Sequence, residues 1–390
     1  MHSSSTVIQP FFLIISAFLL LITNCGQNSK EHQVLSPGIL ISQNNSQQLY
    51  EKITKRINTT SQKIMTGPGI VAVTGGVHIK VLKNGDHEFI FPLPQVTDYQ
   101  IPLNYAIKFN PAEDVKELRI RKRAHSNHVI SVILNSEVGK EIFLNWASLV
   151  MINGETAGKD SSLPSLFLDS SPCVQSDDKQ IVTLANDLWP DDNEVKSFTN
   201  RIQMFISSMK SKKEFKSLDA RAILMSSINW ICTGNANLAT AFFRAKQIPA
   251  RTVSVIPINS TRLEMHRIVQ FYSKDNWHMF DPSSLFPDIP LNPWQYIIMA
   301  KTSMCDENVS MHKRWGTSMG CPYGQEIEFL DHGISLWGDD FFWTFAKPLD
   351  QFDPDEKLVS EIRGEWNNFL NTGIMSQAQL DFVLNLNKSE

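Results

Sequence analysis

The apolar pattern of this chain changes period once, and that change constrains the fold more than any other feature. Between residue 68 and about residue 152, apolar residues fall in short β-branched and aromatic runs: "IVAVT", "VHIKVL", "EFIFPL", "LNYAIKF", "HVISVIL" and "KEIFLNWA". Such runs suit a pleated strand with one face buried. Gly75-Gly76 and Asn84-Gly85 punctuate them, and Asn-Gly between two runs predicts a hairpin. An antiparallel β-sandwich is therefore predicted over 67–155. From about residue 177 the spacing becomes helical: Ile181, Leu184, Ala185 and Leu188, then Val195, Phe198, Ile202, Phe205 and Ile206. Pro190 separates two helices, and "LDARAILMSS" forms a third. Strands return at "ARTVSVIPI", "HRIVQFY" and "WHMFD". Helices first and strands afterwards predict an α+β domain over 165–300. Beyond Pro282 the chain is irregular and holds five of the nine Trp residues (294, 315, 337, 343 and 366). The segment 301–390 is expected to pack on that domain as an extension.

The N-terminal residues 1–25 are not expected to fold. "FFLIISAFLLLIT", Phe11 to Thr23, is a 13-residue apolar run, short for a bilayer span and suited to a signal-peptide core. It ends in "LITNC" and turns polar at "GQNSKEHQ". This resembles the lipobox of bacterial lipoproteins, which implies lipidation of Cys25, export and attachment to a membrane of the cell envelope. Asn24 where a small residue is usual, and the lack of Lys or Arg in residues 1–10, depart from that pattern. Residues 26–66 are rich in Asn, Gln, Ser, Lys and Thr and read as a solvated tether, partly helical around Leu49 to Ile64. A net charge of -4 gives no reason to propose nucleic acid as a partner. Outside the cytosol a disulfide is permitted, and Cys305 with Cys321 would close a 17-residue loop, although connectivity does not follow from spacing. CxxC, HxxxH and HExxH spacings are absent, so a metal site has no support.

The stretch "WICTGNANLATAFFRAKQIPAR", Trp230 to Arg251, carries the chemistry. Thr233 to Lys246 has one Gly and no Pro, so a helix with a buried stripe is predicted, ended by Gln247-Ile248-Pro249. Cys232 then stands at the helix N-terminus, where unpaired N–H groups and the helix dipole favour thiolate. A thiolate nucleophile works with an imidazole, and the imidazole with an orienting carboxylate. "MHRIVQFY" and "WHMFD" predict two strands joined by "SKDN", Ser273 to Asn276. With the turn centred between Lys274 and Asp275, Asp281 opposes Ile268 and becomes a diagonal neighbour of His266 on one face. A slip of one residue would put the two on opposite faces. Trp277 and Tyr272 share that face and could wall off the imidazole, whereas His278 falls on the other.

These residues resemble the core of the transglutaminase-like superfamily, relatives of the papain-type thiol proteases. Members read approximately GxC, an Ala/Leu-rich helix, R-A-x-G-I-P-A-R, a strand, H-A-W, then W-x-x-x-D-P. The match runs from about Leu218 to Ser284, with Cys232 sixteen residues before Ile248 and His266 fifteen before Asp281. Upstream, "EFIFPLPQVTDYQ" is similar to a strand of the β-domain that often precedes this core. Trp230, Gln247 and Arg267-Ile268 depart from the family pattern, and the bulk of Trp230 could narrow the groove beside the thiol. The resemblance implies an α+β thiol enzyme with Cys232, His266 and Asp281 as catalytic residues. Its expected substrate is a protein or peptide carboxamide, hydrolysed or transferred to an amine without metal or cofactor. The alternative is a non-catalytic module that binds peptide or envelope in the same groove.

Overall fold

In a computed structural model of the chain, the described residues are 39–40, 50–51, 53–55, 67, most of 69–301, 327–329 and 341–348. Within 69–301 they exclude 104, 111–113, 123–126, 153–159, 161, 210–217, 227–231, 259–265, 285–290 and 292. Trp230, Cys25, Cys305, Cys321 and the signal-peptide segment lie outside the described residues. Contacts divide the chain into Met1–Gln33 and Val34–Glu390, and everything described belongs to the second unit. Among the described residues no helix is long and apolar enough to cross a membrane.

The strands are β1 (Ile39–Leu40), β2 (Gly69–Val81), β3 (Gly85–Pro92), β4 (Gln100–Pro102), β5 (Ala106–Asn110), β6 (Val115–Lys122), β7 (His128–Ser136) and β8 (Glu141–Ile152). The helices α1 (Lys179–Leu188), α2 (Val195–Ser208), α3 (Ala220–Ser226) and α4 (Cys232–Ala245) follow. After them come β9 (Ala250–Pro257), β10 (His266–Ser273), β11 (Asn276–Phe280) and β12 (Tyr296–Ala300), then β13 (Ile327–Phe329) and β14 (Phe341–Pro348). The class is α+β: an antiparallel β-sandwich, then helices against an antiparallel sheet.

One sandwich sheet has the order β1-β6-β7-β3; the other runs β13-β2-β8-β4, with β14 also on β2 and β5 also on β8. Ile120, Ile130 and Val132 of the first share one hydrophobic core with Ile70, Ile142 and Leu144 of the second. Several sequence expectations change here. Gly75-Gly76 does not break a strand, because β2 runs straight through it. A Cβ on Gly75 would lie 2.6 Å from Cζ2 of the fully buried Trp146, so the glycine makes room for the indole. Asn84-Gly85 does not form a hairpin: β2 pairs with β8, whereas β3 pairs with β7 in the other sheet. The turn is a corner between sheets, and the Asn84 side-chain oxygen accepts a hydrogen bond from the Val138 N–H at 2.6 Å. Within 301–390, the described strands β13 and β14 lie along β2 of the sandwich, and β14 also meets β9 of the core sheet. The polar segment 26–66 also contributes, since β1 pairs with β6 and Ile53 is buried in the sandwich core.

The α-helical half behaves more simply. The Asp178 carboxylate caps α1 by accepting from the Gln180 and Ile181 N–H groups. The predicted stripe on α4 is in fact a helix buried all round, from Gly234 to Arg244. Strands β9 and β10 cover one side, and α1, α2 and α3 cover the others. Phe242 and Phe243 are fully buried, each contributing about 1.5–3 kcal/mol from removal of apolar surface.

At the end of α4 the Gln247 N–H bonds the Arg244 carbonyl at 2.9 Å and the Ile248 N–H bonds the Phe243 carbonyl at 3.0 Å. This is a Schellman cap, and Gln247 takes its left-handed position with φ 57. Glycine adopts this conformation without the Cβ penalty. Gln247→Gly is therefore expected to raise the stability of the chain by about 1 kcal/mol, read as an increase in the urea midpoint at unchanged slope.

The sheet β11-β10-β9-β12 is knitted to the sandwich. The side-chain amide of Gln95 donates to the Met299 carbonyl at 3.0 Å, and that of Gln100 to the Ile298 carbonyl at 2.9 Å. Beneath this seam lies a buried ionic cluster. Asp160 accepts from Arg251 Nη2 at 2.5 Å and from Lys301 Nζ at 3.1 Å, with all three side chains at most 2% exposed. Gln270 Oε1 accepts from Arg251 Nε at 3.0 Å. The guanidinium lies 3.9 Å from the centroid of Trp277 and 5.2 Å from that of Phe167.

Candidate active site

The hairpin that presents the imidazole forms as its turn residues dictate. Lys274 and Asp275 both have positive φ, 51 and 64, the two central positions of a type I′ turn. Ser273 pairs with Asn276, Tyr272 with Trp277 and Val269 with Phe280. This is the register expected from the sequence, and it carries Asp281, just past β11, to the end of β10 where His266 begins.

His266 Nε2 and Asp281 Oδ2 are 2.7 Å apart. The other carboxylate oxygen, Oδ1, accepts the Ser283 N–H at 2.8 Å. Cys232 is the first residue of α4, half-buried and a free thiol. Its sulfur is hydrogen-bonded to the His266 side chain and to the backbone N–H of Arg267. Since Nε2 is committed to Asp281, Nδ1 is the ring nitrogen left for sulfur. The structure thus brings Cys232, His266 and Asp281 into one chain of hydrogen bonds.

Electrostatics follow from this geometry. Burial alone would raise the Cys232 pKa. The hydrogen bond and charge of His266 outweigh it, helped by the Arg267 N–H and guanidinium charge, and the thiol ends below its ordinary value. Burial alone would likewise lower the imidazole pKa. Hydrogen bonds to Asp281 and Cys232, and the negative charge of both, reverse this and push it up to about 10. Both shifts act in the same direction, favouring thiolate beside imidazolium over the neutral pair. Arg267 adds a second cation near the sulfur.

Trp277 does not share these contacts. It packs over Arg251 and edge-on to Phe167 and Tyr272. His278 stacks on Phe271 and meets the Ser273 carbonyl at 2.9 Å. Cys173 is disulfide-bonded, and the expected pairing of Cys305 with Cys321 falls outside the described residues. Among the described residues no group of three or more His, Cys, Asp and Glu could hold a metal ion.

Three polar residues around the acid, Asn235, Ser283 and Gln203, do not stand out from the sequence. Asn235 Nδ2 donates to Ser283 Oγ at 3.1 Å, and Gln203 Nε2 donates to the Ser284 carbonyl at 2.6 Å. A partial signal existed: Asn235 and Asn237 are polar, poor helix formers inside an Ala-rich helix.

Residues 183–282 match the family model of the transglutaminase-like superfamily. No curated protein matches the chain in sequence. A candidate cysteine protease from Cytophaga hutchinsonii shares the fold, with a TM-score of 0.52 at 15% identity, over 74% of this chain and 93% of that one. The periplasmic domain of TgpA from Pseudomonas aeruginosa superposes less well, with a TM-score of 0.31 at 12% identity, over 59% of this chain and 90% of that one. The stretch 183–282, which contains the thiol, the imidazole and the acid, is a domain of the transglutaminase-like superfamily.

Proposed function

We propose that this chain is an exported thiol enzyme that cleaves or transfers a carboxamide or peptide bond through Cys232, His266 and Asp281. The observation that carries this reading is the hydrogen-bonded series of thiol, imidazole and carboxylate, with the thiol at the head of a helix. In this scheme the Cys232 thiolate bonds to the carbonyl carbon, and charge develops on the carbonyl oxygen. The backbone N–H of Cys232, at the positive end of α4, stabilises that oxyanion. The His266 imidazolium gives its proton to the amide nitrogen, the C–N bond breaks, and an amine leaves a thioester on sulfur. His266, now neutral, takes a proton from water, whose oxygen attacks the thioester, and the C–S bond breaks to release an acid. A primary amine in place of water gives a new amide. Asp281 holds the imidazole orientation throughout.

The apolar run 11–23 ending near Cys25 supports export, with a lipid on Cys25 as the tie to a membrane and an envelope protein or peptide as substrate. A peptidyl acyloxymethyl ketone tests the reading. Alkylation of Cys232 within minutes at pH 7, located by peptide mass spectrometry and absent in Cys232→Ala, is the expected outcome. An unmodified Cys232 across pH 6–8 would overturn it.

A further inference from the structure

Asn235 is 2% exposed in a helix buried from Gly234 to Arg244, so its amide is buried at a cost unless bonded. Three residues separate it from Cys232, which places both on one face of α4, about 4.5 Å apart along the axis. That face meets the start of β10 and the segment after β11. At its tip the sulfur meets His266. One turn on, Asn235 Nδ2 reaches Ser283 Oγ at 3.1 Å. Ser283 in turn donates its backbone N–H to Asp281 Oδ1 at 2.8 Å, while Asp281 Oδ2 faces His266 Nε2 at 2.7 Å. The contacts close a ring from Cys232 through His266, Asp281, Ser283 and Asn235 back along one turn of helix. The ring has independent support behind it: Pro282 is buried, the Ser284 N–H bonds the Asp281 carbonyl at 3.2 Å, and Gln203 holds the Ser284 carbonyl from α2.

We propose that Asn235 is a positioning residue: through Ser283 it ties the acid-bearing turn to the nucleophile's own helix and so sets the carboxylate against the imidazole. The inference rests on the thiol–imidazole reading above. Because the sulfur and the acid are referred to the same helix, movement of α4 carries both ends of the imidazole's contacts together. Without the tie, Asp281 keeps its bond from the Ser283 backbone, but the turn loses its reference to α4. The imidazole is then held less often in the orientation that forms the ion pair.

The test follows iodoacetamide alkylation of Cys232 in the full chain from pH 4 to 10 by peptide mass spectrometry. Asn235→Ala is expected to slow alkylation about tenfold at pH 6 and to move the reactivity midpoint up by about one pH unit, the equivalent change in thiolate fraction. Ser283→Ala removes only the hydroxyl, leaves α4 intact and is expected to give the same shift, so the test stands even if Asn235→Ala fails to fold. The double variant should be no worse than either single one, because both break one path. Wild-type profiles in both single variants, alongside lost reactivity in His266→Ala, would overturn the tie and leave the thiol–imidazole pair standing. Additive losses in the double variant would also overturn it. An unchanged profile in His266→Ala would sink the pair itself and the tie with it.

Discussion

His266→Ala is expected to slow alkylation of Cys232 at pH 6 by about a hundredfold, since an unperturbed thiol of pKa ~8.5 is only about 0.3% ionised there. The sign follows from the two shifts. The Cys232 pKa is lowered, so thiolate forms below the ordinary thiol range as pH rises. The His266 pKa is raised to about 10, so the imidazolium that stabilises the thiolate persists through neutral pH and is lost only as pH rises through that value. The wild-type protein should therefore react well below pH 8, and the variant only as pH approaches 8.5 and above. Near pH 10 the two curves should converge, because the imidazole is then losing its charge and both proteins hold thiolate. Superimposable profiles across the range would show that sulfur and ring are not electrostatically coupled. The acid arm can be checked separately with Asp281→Asn, expected to lie between the other two, since an amide still accepts a hydrogen bond but carries no charge.

The largest expected stability effect lies away from the thiol. Asp160→Ala removes the carboxylate that bonds both Arg251 and Lys301, and takes from two buried cations their shared counter-charge. Breaking a buried pair in this way costs about 3–5 kcal/mol, more than replacing the whole cluster by apolar residues would. Urea unfolding should show that loss, and a change under about 1 kcal/mol would mean that the charges are effectively solvated. A pH dependence accompanies it. Burial would raise the Asp160 pKa, but Arg251 first, then Lys301, and the hydrogen bonds from Arg251 and the Ser162 N–H hold it below its ordinary 3.8. A carboxylate lowered on folding contributes stability in full above its unfolded pKa and loses it as pH falls through the folded one. The contribution of Asp160 should thus be complete above about pH 4 and decline below, and Asp160→Asn should lack that part of the acid slope.

The cluster also bears on the site. Trp277, which covers the Arg251 guanidinium, is on the same strand that ends at Asp281, so the ionic seam steadies β11 from the side opposite the turn. Trp277 packs against Arg251, Phe167 and Tyr272, and bears on the site through this strand.

What could be read from the chain alone was local. A two-residue turn between β-branched runs sets the β10–β11 register by counting, and a proline after an Ala-rich run ends α4 and leaves Cys232 at its head. Both follow from backbone sterics within a few residues. Where the same rules were applied to β2 and β3 they failed, because Asn84-Gly85 obeys local turn chemistry while pairing partners are chosen over the whole sheet. Gly75-Gly76 looked like a break for the same reason: only Trp146, 71 residues on, explains it.

The residue types, their spacing and the hairpin register were thus written in the sequence, because they depend on neighbours within one turn or one strand pair. Only the tertiary structure decided that sulfur, ring and acid share hydrogen bonds, that Asn235 reaches Ser283, and that glutamines near residue 95 knit the sandwich to β12. Those contacts join residues from 15 to 204 positions apart, and no local propensity encodes a distance that arises only when separate hydrophobic faces are buried together.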